Sequence, residues 1–283
     1  MTFRSILVHV EAESAAADKR IALAARLARR FEATLIGAAA CTLRPLPVGD
    51  PYAGAYMDAE ITKEEEDQVK ADLVAAHSHF SRHPGCEPVL TEWRSAVDLP
   101  ADFIAREARA ADLVVIGRDL DRQRLGPTQF PDPGDVLMRA GRPVLVVPPE
   151  TEALEAKHVV VGWKDTREAR RTLHDALPFL IRAESVLVAD IVENDEGDED
   201  DNAEKRIADV VAYLARHEVD ARGEVRFKRE RSVADELILV AEQRGADLIV
   251  CGGFGHSRMR EWVFGGVTRE LIRHSPKCCL LSH

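Results

Sequence analysis

The sequence predicts an α/β protein built as two tandem modules, each a five-stranded parallel sheet with flanking helices, and three observations carry that prediction. At 283 residues the chain has room for about two domains of the usual ~100 to 200 residues. Ala111-Asp112-Leu113-Val114-Val115-Ile116-Gly117 returns as Ala246-Asp247-Leu248-Ile249-Val250-Cys251-Gly252, an offset of 135 residues, and the same offset carries Arg142–Val147 onto Lys277–Ser282. Within each half, short β-branched runs alternate with longer amphipathic stretches, as parallel strands joined by crossover helices should.

In chain order, strands are expected near 5–10, 33–41, 87–93, 112–117 and 143–147, then near 158–163, 185–192, 223–229, 247–252 and 277–281, with four helices in each half. Ile6–Val10 corresponds to Val159–Trp163 at an offset of 153, so the first half carries about 18 extra residues. Leu43–Tyr56, with Pro45, Pro47, Gly49, Pro51 and Gly54, has the composition of an inserted surface loop. Ser95-x-x-Asp98 and Ser232-x-x-Asp235 each precede an apolar helical pattern and read as helix caps. Pro148–Lys157 separates the last strand of one half from the first strand of the next, which divides the chain into modules 1–150 and 155–283.

Composition narrows the function. With 46% hydrophobic and 31% charged residues the chain reads as globular. A formal charge of −11 repels phosphate backbones and anionic bilayers, which disfavours general nucleic-acid and membrane-surface binding. No apolar run approaches the ~20 residues that span a bilayer. Met1-Thr2-Phe3-Arg4 runs straight into the first strand without a secretory apolar region, so a cytoplasmic location is expected. Five cysteines, two of them adjacent in an apolar run, form no disulfide framework or paired Cys-x-x-Cys motif and read as reduced packing residues.

Chemistry concentrates in the second half. The strand at 247–252 runs into Gly252-Gly253-Phe254-Gly255, and Gly265-Gly266 follow at the start of a helix. Glycine lets backbone approach a ligand, and a helix N-terminus offers unpaired N–H groups with partial positive charge, so the Gly-x2-Gly-x9-Gly spacing suits a phosphate. The same loop carries His256, Ser257, Arg258 and Arg260. His256 could donate to a phosphate or act as an acid, or simply anchor the loop.

This stretch resembles the ATP-binding branch of the universal stress protein family, and the resemblance covers essentially the whole chain as two copies. It implies an adenine nucleotide alpha hydrolase-like fold with strand order 3-2-1-4-5, and modules that pair along their last strands, Arg142–Val147 against Lys277–Ser282. It further implies ATP as ligand, with phosphates on Gly252, Gly255, Gly265, Gly266 and the amides of Val267 and Thr268, and base and ribose near Trp163, Lys164 and Asp165. The sequence departs from the family in two places. Gly266 stands where the family has a hydroxyl residue, with Thr268 as a substitute two positions on. Lys164-Asp165-Thr166 stands where the family has an Asp followed by Gly-Ser, and Lys164 is left to contact a phosphate or a ribose, or to remain solvated.

Carried back by 135 residues, the second-half glycines fall on Gly117, Leu120, Phe130 and Pro131, so only the first survives. Pro131 and Pro133 remove amide donors, and Asp135 places a carboxylate where an anion would sit. The first half is therefore expected to bind no nucleotide. The acidic run Glu193–Asp201 fails as a calcium loop because Ala203 stands where the sharp turn needs glycine, and it reads as a solvated loop. His79 and His83, with His77 and Cys86 nearby, read as exposed helix-end residues before a metal site. No nucleophile elbow, P-loop or dinucleotide fingerprint occurs, so any ATP hydrolysis should be weak. Two functions follow: a stress-response protein binding an adenine nucleotide in its second module, or a nucleotide-free scaffold acting through a protein partner or a homodimer.

Overall fold

The computed structural model describes residues 2–12, 14–43, 55–118, 130–192, 198–228, 230–253 and 266–283. The strands are β1 (Ser5–His9), β2 (Thr34–Cys41), β3 (Thr91–Val97), β4 (Leu113–Gly117), β5 (Val144–Val147), β6 (His158–Trp163), β7 (Ser185–Val192), β8 (Ala221–Phe227), β9 (Leu248–Gly252) and β10 (Cys278–Ser282). Together they form one ten-stranded sheet in the order β3-β2-β1-β4-β5-β10-β9-β6-β7-β8. Each half thus has the order 3-2-1-4-5, and every neighbouring pair is parallel except β5 with β10. The fold is the parallel-dominated α/β architecture that the sequence predicts.

The antiparallel seam shows how the halves are related. Val144, Leu145 and Val146 face Leu281, Leu280 and Cys279. Leu145 and Leu280 are equivalent under the 135-residue repeat and are each other's partner, so a pseudo-two-fold axis passes between them. All residues of both strands are buried, which explains their continuous apolar runs.

Helices cover both faces. On one lie α1 (Ala15–Phe31), α2 (Ala55–Arg82), α5 (Arg167–Asp175), the single turn α6 (Leu177–Leu180) and α7 (Asp198–Ala215). On the other lie α3 (Pro100–Glu107), α4 (Pro133–Ala140), α8 (Val233–Gln243) and α9 (Gly266–His274). The first layer is continuous across the seam: Phe3, Phe31 and Phe179 meet edge to face with centroids 5.1 to 5.5 Å apart, joining α1 of one half to α6 of the other. The segment between the halves is held along α1, where Lys19 pairs with Glu150 at 2.9 Å and Arg26 donates to the Glu152 carbonyl at 3.2 Å.

Local chemistry explains most element ends. Ser14 caps α1 through the Ala17 amide, Thr166 caps α5 through Ala169, and Ser232 caps α8 through Asp235. The repeated Ala-Asp preceding β4 and β9 has a structural role: Asp112 accepts from the amides of Arg4 and Ser5, and Asp247 from those of Glu155 and Ala156. Each carboxylate therefore fixes the entry to its half's first strand.

Four expectations need correction. β3 occupies Thr91–Val97, four residues later than predicted, because the chain is still turning through Pro84–Cys86, with the Val89 amide on the Cys86 carbonyl. Ser95 consequently lies inside the strand, where its hydroxyl accepts from the Trp93 indole, and α3 begins instead at Leu99-Pro100 without a side-chain cap. The acidic run is partly helical, since Asp198–Asp201 open α7, where carboxylates are favoured by the helix dipole. β8 is shifted two residues earlier than expected, to Ala221–Phe227. The surplus of the first half lies between β2 and β3, where the inserted loop was placed, although 44–54 fall outside the described residues.

His79 sits against Asp18 at 2.5 Å and the Glu11 carbonyl at 3.3 Å, so it joins α2 to α1. Cys278 and Cys279 are buried in β10, and burial raises both thiols; Cys279 is pushed up to about 11, which keeps it an unreactive packing residue. Among the described residues no helix is long and apolar enough to cross a membrane.

Candidate functional site

In an open parallel sheet the strand order reverses at one point, and the two crossovers leaving there diverge to opposite faces and open a crevice at the strand C-termini. In the second half that point lies between β6 and β9. A cleft of about 380 Å³ occupies it. Gly162, Cys251, Ala189 and Ile191 of the strands and Val233 and Leu237 of α8 line it.

The polar character of the cleft comes from helix ends. Thr166, Ser232 and Gly266 all line it, and they are the caps of α5 and α8 and the first residue of α9. Three helix N-termini thus converge on one hollow, each contributing partial positive charge. Lys164 and Lys228 add cationic side chains, and Glu270 supplies a carboxylate on α9. The arrangement suits an elongated ligand with an anionic end and a flatter, less polar body lying over Gly162 and against Leu237.

Six of the residues singled out from sequence line this cleft: Gly252, Gly266, Val267, Thr268, Trp163 and Lys164. Asp165 is not among the lining residues; its carboxylate turns to Arg170 at 2.6 Å, on the other side of Trp163. Gly255, His256 and Gly265 lie outside the described residues.

The glycines have separable roles. A Cβ on Gly252 would stand 2.7 Å from the Ala169 nitrogen, so this glycine lets the N-terminus of α5 approach β9. The Gly253 amide already donates to the Ser282 carbonyl at 2.8 Å. A Cβ on Gly266, by contrast, would meet no described residue beyond the helix's own backbone within 4 Å. Thr268, suggested as the substitute hydroxyl, is buried, with its oxygen 3.5 Å from the Gly252 carbonyl.

Sequence reasoning missed Lys228, Ser232 as a wall residue, and the β7 pair Ala189 and Ile191. Ser232 was legible as a cap, but its position in the cleft depends on where α8 packs. Lys228 was hidden because the expected strand ran through it, whereas β8 ends at Phe227.

The equivalent place in the first half is occupied by side chains. Sheet register makes His9 the counterpart of Gly162, because Val8 pairs with Val115 as Val161 pairs with Val250. The His9 imidazole is buried with the Phe130 ring 6.0 Å away, and Phe130 is the counterpart of Gly265. At the start of α4, Asp132 accepts from the Asp135 amide, so the protein's own carboxylate sits where an anion would have to bind. Asp132, rather than the expected Asp135, performs that role because Pro133 starts the helix one residue after it. Around Gly117 the space is taken by Arg20, which donates to the His9 carbonyl and pairs with Glu11.

Comparison with known proteins agrees with this fold. Residues 155–283 match the profile of the Universal stress protein family. The whole chain is similar in fold to a universal stress protein from Archaeoglobus fulgidus DSM 4304, with a TM-score of 0.62 at 13% identity over 98% of this chain and 95% of that one. A putative universal stress protein from Pseudomonas aeruginosa UCBPP-PA14 aligns with a TM-score of 0.58 at 15% identity over 99% of this chain and 93% of its own. A functionally unknown protein from Pseudomonas aeruginosa PAO1 gives 0.59 at 15% over 99% and 92%. A search of curated proteins found no match.

Proposed function

We propose that the chain is a cytoplasmic stress-response protein whose second module, residues 155–283, binds an adenine nucleotide, with ATP the expected ligand, while the first module, residues 1–150, serves as its structural partner. The observation that carries this reading is the convergence of the α5, α8 and α9 N-termini on a cleft at the point where strand order reverses. Phosphates would rest at Gly266, Val267 and the turn after Gly252, with the base toward Gly162, Trp163 and Leu237. Nothing among the described lining residues positions an attacking water, so the ligand acts as a regulator with at most slow turnover.

Calorimetric titration with ATP tests the proposal. At 100 times the dissociation constant the ligand should stabilise the fold by about 2.7 kcal/mol and raise the melting temperature. Gly266→Asp places a carboxylate at the start of α9, where no described residue beyond the helix's own backbone stands within 4 Å of the new Cβ, so it should abolish ATP binding and leave the unliganded melting temperature unchanged. An unchanged affinity in that variant would mean the phosphates lie elsewhere. The engaged Gly253 amide and the buried Thr268 hydroxyl favour a second reading, a nucleotide-free scaffold presenting a surface to a protein partner or forming a homodimer. Absence of both heat and stabilisation at millimolar ATP would leave that one standing.

A further inference from the structure

A second hollow, also of about 380 Å³, opens on the opposite face of the sheet between α5 and α7. It shares one wall with the first cleft: Trp163 borders both. That indole is 6% exposed, and its Nε1 has no hydrogen-bond partner among the described residues. A buried N–H without an acceptor is rare in folded proteins and calls for a physical reason.

The walls of this hollow differ from those of the cleft across the sheet. Tyr213 supplies a second ring, and Leu173 and Val210 contribute apolar surface. Its rim carries charge of both signs in near balance. Arg170 is tied to Asp165, Arg206 lies 3.5 Å from the buried Asp190, and Asp209 adds a carboxylate. Each guanidinium therefore already has an acid beside it, Arg170 with Asp165 and Arg206 with Asp190. A phosphate or carboxylate would meet Asp165 and Asp209 while competing with these acids for the two guanidinium groups.

We infer that this hollow is a second binding site, for a flat, uncharged heteroaromatic molecule of nucleoside size. Aromatic walls stack on such a ring. The rim's mixed donors and acceptors suit ring nitrogens, carbonyls and hydroxyls, and the volume lies within the range of small-molecule sites. Because Trp163 stands between the two hollows, filling this one changes the surroundings of the indole and links the sites through it. The assignment does not depend on what the first cleft binds.

Adenosine, which lacks phosphate, is the probe. Titration followed by tryptophan fluorescence and calorimetry should show saturable binding, with the fluorescence change absent in Trp163→Phe. Tyr213→Ala should weaken adenosine at least about tenfold, as expected for loss of a stacking partner. Val210→Trp, which fills the hollow with apolar volume, should abolish binding even if Tyr213→Ala proves unstable. Gly266→Asp should leave adenosine affinity unchanged, because the phosphate end of the first cleft is on the other face. No heat at about 10 mM adenosine would overturn the inference, as would binding that Gly266→Asp removes and Val210→Trp leaves intact.

Discussion

The two halves of the sheet share strand order, strand-entry carboxylates and a pseudo-two-fold seam, yet among the described residues they differ where the strand order reverses: a cleft opens in the second half, and side chains stand at the matching positions of the first. Where the second half has Gly162, the first has a buried imidazole, and where the second has Gly265, the first has a phenyl ring. Where α9 starts on a glycine, α4 starts under an aspartate cap. Duplication thus preserved the scaffold while the side chains at the strand ends diverged. The same backbone geometry serves as a packed support in one half and as a candidate anion site in the other.

The strongest way to break this contrast is to transplant the blocker. Gly162→His should close the second cleft and lower ATP affinity by at least about a hundredfold, because the imidazole would occupy the base of the hollow and press on Leu237. Retained ATP binding in that variant would show that His9 is not what fills the first copy.

Comparing the two conserved glycines sharpens the packing side. Gly252→Ala forces a Cβ against the Ala169 backbone and should destabilise by about 1–3 kcal/mol in denaturant unfolding, the range for overpacking a rigid site. Gly117→Ala meets the Arg20 side chain first, a longer and more adjustable neighbour than main chain, and should lose less. An equal loss at both would show that Arg20 is held as firmly as main chain.

The smallest expected effect concerns acid. Burial first, and then the neighbouring Arg20, hold the His9 imidazole well below its ordinary 6.5. Glu11 stands 3.4 Å from Nδ1 and Phe130 covers the ring. The folded state keeps His9 neutral while the unfolded chain takes up a proton, so stability should be full above 6.5 and fall as pH drops below it. Urea midpoints measured across that range should slope less in His9→Gln. An unchanged slope would assign the acid sensitivity to other groups.

Much of this was legible in the chain itself because it rests on local patterning. Apolar strands buried on both faces, the Ser232 cap and the repeat at 135 residues are properties of neighbouring residues, and most strand positions follow from them within two residues. β3 was misplaced because it is an edge strand with an exposed face, lacking the continuous apolar signal of β4 or β5. Gly252 was readable as a close-approach glycine, but the element it accommodates, the α5 backbone, was not. Asp165 carried the right residue type beside the right strand and yet turns to Arg170, a choice made by side-chain pairing.

By itself the sequence determined a duplicated α/β scaffold and the asymmetry between its copies, since periodicity, caps and the loss of glycines are written in consecutive residues. Only the tertiary structure decided that three helix N-termini meet in one cleft, that His9 and Phe130 fill its counterpart, and that Trp163 separates two hollows. Those facts depend on which residues from distant segments arrive at the same strand ends, and that is set by sheet order and helix packing.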